Sequence, residues 1–467
     1  MRSTLTTDVV VGVDVGTTTI KAIVTDVDGN LLGHAAESTP WIVQDNGYVH
    51  TDIDEFARIA INVIAAAAEG ASTPTHVIGI GIAGLAETGV VVDSNGKPLT
   101  PAMAWYDQRG KFELEQLPQA FRDEFSAVTG LAAKAECSFS KLLWLTQHGF
   151  ALAPGMQWMN ALEYIAFVLT GQRFTEPSLA SRTGLIAQAD VSPWSGTLDL
   201  IGAPTNFIPQ FRNAGHAFGV VGAHAPEKLR GAAVTVAGHD HLVASVGAGA
   251  TGGDDLFDSC GTADVLVRAV PRTLTDAERA SLVAAGLSAG RHVLPGRTAV
   301  LGATRSGLVL GRVLSMLGAM TREERARLSE AWTPQWGSAG TVVVSEPPNW
   351  TNEVTVQLLD DASPEEVWCA ALDYTLAQTR RVLDPVASIA GAFQTAVAAG
   401  GWAHVPGVFR GKQHIMPGLT RSNHSEPGAR GASLFAVHAA GITPSPFTSD
   451  LLADASAANT TIKEFTS

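Results

Sequence analysis

Cysteine is scarce in this sequence: three residues, Cys137, Cys260 and Cys369, in 467. They lie far apart and are odd in number, which argues against a disulfide framework or a zinc cage. A reduced, cytoplasmic setting is the expectation. Long apolar runs are missing too. INVIAAAA at 61–68 is far too short to span a membrane, and the glycine-broken VVVGVDVG starting at Val9 reads as a strand rather than a signal peptide. Basic charge is in deficit, with 31 Lys and Arg against 45 Asp and Glu and a formal net charge of −14. Nucleic acid and anionic membranes are therefore not expected as main partners, because both need a basic surface. Anionic small molecules stay open, since backbone amides and Mg²⁺ can hold phosphate locally. Charged residues make up only 16% and apolar ones 46%, so the chain is expected to fold, in about two or three domains.

What is present is a succession of short apolar strands joined by Gly- and Thr-rich turns. Segments 8–16 and 18–27 read as strands, Asp28-Gly29-Asn30 as a hairpin turn, and 31–38 as a third strand. Thr51 or Asp52 can cap a helix in which Phe56, Ile59, Ala60, Val63, Ile64 and Ala67 recur at helical spacing up to Gly70. HVIGIGIAG (76–84) reads as a buried strand and 89–105 as a hairpin turning at Asn95-Gly96. Helices are expected over 137–149 and 157–171. A second α/β pattern begins near Ala233. It continues through a strand pair at 258–270, strands feeding a helix at 292–318, and a long helix at 363–386 with a Ser-x-x-Glu cap. The polar tail after Ile442 is expected to be ordered only where it docks. The two halves open alike: VDVGTTTIKAIV (13–24) and DSCGTADVLV (258–267) each set an acidic residue before a Gly-Thr turn between strands. Two such loops can grip one polyphosphate from opposite sides of a cleft.

Several segments carry the residue types that chemistry needs. In D-x-G-T-T at 14–18, the turn presents N–H groups and hydroxyls that can cradle phosphate, and Asp14 can hold a Mg²⁺-bound water. The same residues also make an ordinary hairpin turn. Glu87 follows a buried strand, and Trp105, Asp107 and Arg109 follow another. Carboxylates beside an aromatic wall suit a polyhydroxylated ligand; a surface Asp107–Arg109 pair and a core Trp105 are the plainer alternative. The Gly-Gly at 400–401 lets a planar base or a phosphate approach the backbone, or simply joins a strand to a helix. In VAGHDHLV (236–243), His239 and His241 flank Asp240. On a strand the two imidazoles would share one face and Asp240 the other, an H-x-H metal arrangement, yet no H-E-x-x-H or other paired ligand set accompanies it.

Taken in order, these segments resemble the FGGY carbohydrate kinases over more than 400 residues. GVDVGTTTIKAIVTDVDG resembles the family's first phosphate loop. GIGIAGLAETGVVVDSNGKPLTPAMAWYDQRG resembles its sugar-binding strand and W-x-D-x-R segment, and AGHDH the segment that supplies the catalytic base. DSCGTADVLV resembles the second phosphate loop. LGATRSGLVLGRVL, AGGWAHVPGVFR and GARGASLFAVHAAG resemble the nucleotide-side segments. The resemblance implies an α/β fold of two ribonuclease-H-like, actin-like ATPase domains, divided here at 1–235 and 236–467, with the active site in the cleft between them. It implies a cytoplasmic, ATP- and Mg²⁺-dependent kinase of a ketose or open-chain polyol. A sugar- and ATP-binding sensor without turnover is the alternative. Asp240 would be the base and Asp14 the metal-positioning residue. Gly16, Thr17, Thr18, Gly261, Thr262, Gly307, Gly400, Gly401 and Ala403 would lie along the nucleotide. Glu87, Thr88, Trp105, Asp107, Asp240 and His241 would line the sugar pocket. Partners would be the sugar or polyol and ATP, with neither nucleic acid nor membrane, and a homodimer as a possible assembly.

The sequence departs from the family pattern at the substrate site. Leu85-Ala86 stands where polyol-type relatives often carry Gln-Arg and xylulose-type relatives Met-His. His241 replaces the usual amide after the base, so neither glycerol nor xylulose follows as substrate. Trp402 replaces a third glycine of the adenosine loop.

Overall fold

A computed structural model describes residues 6–319, 321–334, 341–347 and 353–442. The tail after Ile442 lies outside the described residues. Two six-stranded sheets form the frame. In the first, Thr7–Val15, Thr19–Asp26 and Leu31–Ser38 form an antiparallel meander. Thr75–Gly84 then adds parallel to Thr7–Val15, Ala233–His239 adds parallel to Thr75–Gly84, and Gly219–Val220 closes the edge. The second sheet repeats this plan. Asp255–Cys260, Asp264–Val270 and Thr298–Thr304 are antiparallel, and Thr395–Ala399 and Leu419–Arg421 add parallel on the other side of Asp255–Cys260. Ser288–Arg291 pairs at the far edge.

The central strand Thr7–Val15 is buried on both faces, as its unbroken apolar run requires. Val9, Val11, Val13 and Val15 face a core shared with the helix Ile53–Glu69. That helix is capped by Asp52, which accepts from the N–H groups of Asp54 and Glu55, and it ends at Gly70. The even-numbered positions turn the other way. Val10 meets Ala436, and a side chain at Gly12 would strike the backbone of the helix Pro427–Ala439. Asp14 lies on this second face, against Gly428. The two-residue period of the strand thus sends Asp14, like Asp8 at the strand's other end, away from the main core.

Helices Pro427–Ala439 and Asp240–Gly247 pack together between the sheets. Their core joins Ala83 and Ala237 of the first sheet to Phe257, Val265 and Val267 of the second. The chain passes from the first sheet to the second by way of the helix Asp240–Gly247 and returns to pack on the first with the helix Pro427–Ala439. Three readings of local structure change. Ala233–His239, read as opening the second half, belongs to the first sheet. Residues 157–160, read as the start of a helix, form a strand paired with Gly89–Val92; the helix begins at Ala161, after an Asn160–Glu163 capping box. The turn at Asn95-Gly96 forms, closed by the Val92–Pro98 bridge and by the Asp93 and Leu99 N–H groups donating to the Lys97 and Val91 carbonyls, but Ala102–Met103 beyond it pairs with Val49–Thr51. The long helix runs Pro364–Ala390 with the expected Ser363–Glu366 box. The three cysteines are buried and free. Among the described residues no helix is long and apolar enough to cross a membrane.

Candidate active site

Three parallel strands of the first sheet deliver acidic side chains at their carboxyl ends. Asp14 pairs in register with Ala83, which pairs with Gly238. Glu87 comes three residues after Gly84, and Asp240 immediately after His239, so all three leave the sheet at one end. Asp14 is pushed up to about 7, first by burial and then by the charge of Asp240, with Lys21 opposing and Glu426 adding to the rise. Lys21 is itself held by Glu426 at 3.1 Å, so its ammonium is shared. These carboxylates hold more negative charge than the neighbouring cations balance. Hard oxygen donors with excess charge suit a divalent cation such as Mg²⁺.

The Gly16–Thr18 turn is fixed from outside. Thr39 donates its hydroxyl to the Gly16 carbonyl at 2.8 Å and its N–H to the Thr18 carbonyl at 3.1 Å, and the Trp41 indole donates to the Thr17 carbonyl at 2.6 Å. None of these bonds draws on the N–H of Thr17 or Thr18. The Trp105 indole donates to the Thr17 hydroxyl at 2.9 Å, tying the expected sugar wall to the expected phosphate loop.

Glu87 is buried and has φ of 64°, a left-handed conformation that is strained for a side chain of this kind. Its Oε1 accepts from Arg182 Nε at 2.7 Å. Burial raises its carboxyl against the pull of Arg182. Arg182 also donates to Ser288 Oγ at 2.8 Å, in the edge strand of the second sheet. Lys141, buried and pulled down to about 8 by burial, donates to the carbonyl of Trp105 at 3.0 Å and to that of Ala135.

Asp240 opens a helix, so strand alternation does not separate it from its neighbours. Its Oδ1 accepts the His241 N–H at 2.6 Å. His239 Nε2 lies 3.2 Å and His241 Nε2 3.8 Å from the same oxygen. Burial works to raise Asp240, but His241, His239, the His241 N–H and Arg182 together hold it below the usual carboxylate range. The H-x-H metal arrangement is not formed. Among the described residues the one set of three metal-binding side chains with ligand atoms mutually close is Asp258, Cys260 and Asp264. There Lys412 takes the place of an ion, 2.7 Å from both carboxylates.

The second sheet gathers the other expected residues. Gly400 follows the strand Thr395–Ala399, and its φ of 101° and its contact with the Cys260 carbonyl leave no room for a side chain. Leu308 N–H donates to the Thr262 carbonyl at 2.9 Å, bringing the start of the helix Ser306–Met316 to the Gly261-Thr262 turn. Gly307 is covered by Trp402. Gly400, Gly401 and Thr262 are exposed along one edge, whereas Ala403 is buried and offers backbone only.

Two expected pocket residues are otherwise engaged. Asp107 is almost fully buried; Arg109 holds both its oxygens, at 2.7 and 2.9 Å, and Val49 N–H donates to Oδ2 at 2.6 Å. The pair is structural, and buried rather than on the surface. Thr88 is 0% exposed, behind Glu87. Arg182, Lys141, Glu176 and Ser178 escaped the sequence reading. Their roles come from contacts between distant segments, such as Arg182 with Glu87, 95 positions apart, and no local pattern marks them.

Comparison with known proteins bears on family and fold. The model of the FGGY family of carbohydrate kinases, N-terminal domain, matches residues 9–247. A glycerol kinase from Thermococcus onnurineus is 28% identical over 235 residues, 49% of this chain. That match spans about half of the relative's length, 47%. A glycerol kinase from Renibacterium salmoninarum is 26% identical over 413 residues, covering 82% of this chain and 79% of the relative. Among solved structures, a ligand-bound xylulose kinase from Lactobacillus acidophilus superposes with a TM-score of 0.83 at 17% identity, covering 94% of this chain and 91% of that one. Plasmodium falciparum glycerol kinase with ADP gives 0.82 at 18%, with the same coverage. At such identity the likeness shows the fold: two actin-like domains.

Proposed function

Because this chain belongs to the FGGY family of carbohydrate kinases, we propose that it transfers the γ-phosphoryl group of ATP to a hydroxyl of a ketose or open-chain polyol. The observation that carries this reading is the meeting of Asp14, Glu87 and Asp240 at one end of three parallel strands, with Asp240 held as an ionised carboxylate. An ionised carboxylate in a cleft can take the proton of an attacking hydroxyl. The first domain comprises the sheet up to about residue 247, where the family match ends, together with the returning helix Pro427–Ala439.

The sugar lies against Glu87 and Trp105, with Arg182 fixing the Glu87 carboxylate. Asp240 accepts the hydroxyl proton as the oxygen attacks the γ-phosphorus. The turns at Gly16–Thr18 and Gly261-Thr262 hold the phosphates through N–H and hydroxyl groups. Gly307, Gly400, Gly401 and Trp402 border the adenosine. Asp14 holds Mg²⁺, which on binding neutralises phosphate charge. Leu85 and Ala86 bring no polar side chain beside Glu87, so the contacts that select substrate differ from those of the glycerol- and xylulose-type patterns.

Measuring ADP release over a panel of pentuloses, hexuloses and polyols tests this reading. One acceptor should give sustained Mg²⁺-dependent turnover. Tight sugar binding with no ADP from any acceptor would instead favour a sensor.

A further inference from the structure

The strand Ser288–Arg291 lies at the edge of the second sheet, and its outer N–H groups are taken by the first half of the chain. Ala289 N–H donates to the Gly130 carbonyl at 2.9 Å, and Arg291 N–H to Ser181 Oγ at 2.9 Å. Gly290 sits so close to Ser181 that a Cβ on it would come within 2.8 Å of the Ser181 Cβ. Beside the strand, Arg279 is 1% exposed and donates its Nε to the Ala127 carbonyl at 2.7 Å. These contacts fix the register of the seam between the halves, and none of them uses the Ser288 side chain.

Ser288 is where the seam reaches the proposed acceptor site. The residue after Ser181 is Arg182, and its guanidinium has two anchors on two different nitrogens. Nε donates to Glu87 Oε1 at 2.7 Å, and Nη1 to Ser288 Oγ at 2.8 Å. Glu87 is held from behind as well: Ser138 Oγ donates to its carbonyl at 2.8 Å, and its backbone is left-handed. On the other side, Ser288–Arg291 pairs with Thr298–Thr304, which pairs with Asp264–Val270, the strand that leaves the Gly261-Thr262 turn. One side chain thus joins the carboxylate on the acceptor side to the sheet that presents the second phosphate turn. A planar guanidinium with fixed N–H directions can span two anchors; a lysine ammonium is a single point of charge.

We propose that Arg182 is a positioning residue that ties Glu87 to the second sheet, so that an acceptor held by Glu87 stands in register with the phosphates held at Gly261-Thr262. This rests on the reading of Glu87 as an acceptor contact. Phosphoryl transfer needs the attacking oxygen in line with the γ-phosphorus, and the two reactants are carried by different sheets. A misplacement of about 1 Å costs on the order of a hundredfold in rate. The tie removes that freedom at the acceptor itself, and the seam holds its far end.

The test uses the full-length protein and the acceptor found in the substrate panel. Ser288→Ala removes the far anchor and leaves the seam and the Arg182–Glu87 pair in place. Its kcat should fall about tenfold, the worth of one hydrogen bond to a charged group. The KM for the acceptor and the Kd for ADP should stay within about twofold, because the groups that bind each are intact. Ser288→Thr keeps the hydroxyl and should recover to within about threefold of wild type. Arg182→Lys keeps the cation and loses the span, so adding Ser288→Ala to it should cost less than about twofold more. An undiminished kcat in Ser288→Ala would overturn the proposal. So would a loss that Ser288→Thr does not relieve, the same tenfold loss in the Arg182→Lys background, or parallel losses in kcat, KM and ADP affinity. Glu87→Gln serves as the control and should raise the acceptor KM. An unchanged KM there would refute Glu87 as an acceptor contact, an outcome separate from failure of the tie.

Discussion

At the scale of single residues, Asp14 makes the most direct statement about charge. Its carboxyl rises from 3.8 to about 7 through burial and the nearby charge of Asp240. A folded-state pKa above the unfolded one means that stability is fully present below 3.8 and is lost as pH rises towards about 7. Glu163 and Glu176, raised by burial to about 7 and about 8, contribute in the same direction, so the useful quantity is a difference. In metal-free protein, Asp14→Asn should gain Tm over wild type progressively as pH rises through this window. Millimolar Mg²⁺ should restore wild-type Tm at the upper end and leave the variant unmoved. Equal pH dependence in both proteins would remove Asp14 from its role. Legibility divides sharply at this scale. Asp14, Gly16, Gly261 and Gly400 could be picked out of the sequence because a turn imposes local backbone demands on residue type. Arg182 and Lys141 could not, because their partners come from remote segments. Asp107 was read as a pocket residue. In a W-x-D-x-R segment the same Asp–Arg spacing also makes a closed ion pair, and that is what forms here.

At the scale of elements, two devices seat the helices that carry the site. The first is the triad of Lys412, on the helix Pro406–Ile415, with Asp258 and Asp264 on the hairpin that presents Gly261-Thr262. All three side chains are at most 3% exposed. Asp264 stays raised at about 6 by burial, although Lys412 pulls it down. Lys412→Met strands two buried carboxylates, and urea unfolding should show a loss of about 3–5 kcal/mol. Adding Asp258→Asn and Asp264→Asn to the same chain should recover much of it. The second device is close backbone contact. Gly79 and Gly81 face the carbonyls of Ala436 and Ala432 in the helix Pro427–Ala439, whose Gly428 abuts Asp14. Gly81→Ala should destabilise the protein by about 1–3 kcal/mol and weaken Mg²⁺ binding with it, as read by thermal unfolding with and without the ion. Helix ends were legible where caps were, at Asp52 and Ser363. The helix expected from 157 failed in its first four residues because their partner strand, Gly89–Val92, lies far off in sequence.

At the scale of the whole molecule, the repeat of one sheet plan in both halves explains why two similar loops exist at all. Each Gly-Thr turn joins the first two strands of its sheet, Thr7–Val15 to Thr19–Asp26 and Asp255–Cys260 to Asp264–Val270. That likeness was readable at 13–24 and 258–267. Sheet membership was not. Ala233–His239 has the same apolar composition as a strand of either half, and only its pairing with Thr75–Gly84 assigns it to the first. The consequence is functional as well as architectural, since this strand brings Asp240 beside Asp14 and Glu87. The measurement that tests the account most directly is phosphoryl transfer by Asp240→Asn beside wild type, with ADP affinity recorded in parallel. The account predicts turnover lowered by about 10²–10⁴-fold with ADP binding unchanged. Turnover equal to wild type would contradict it.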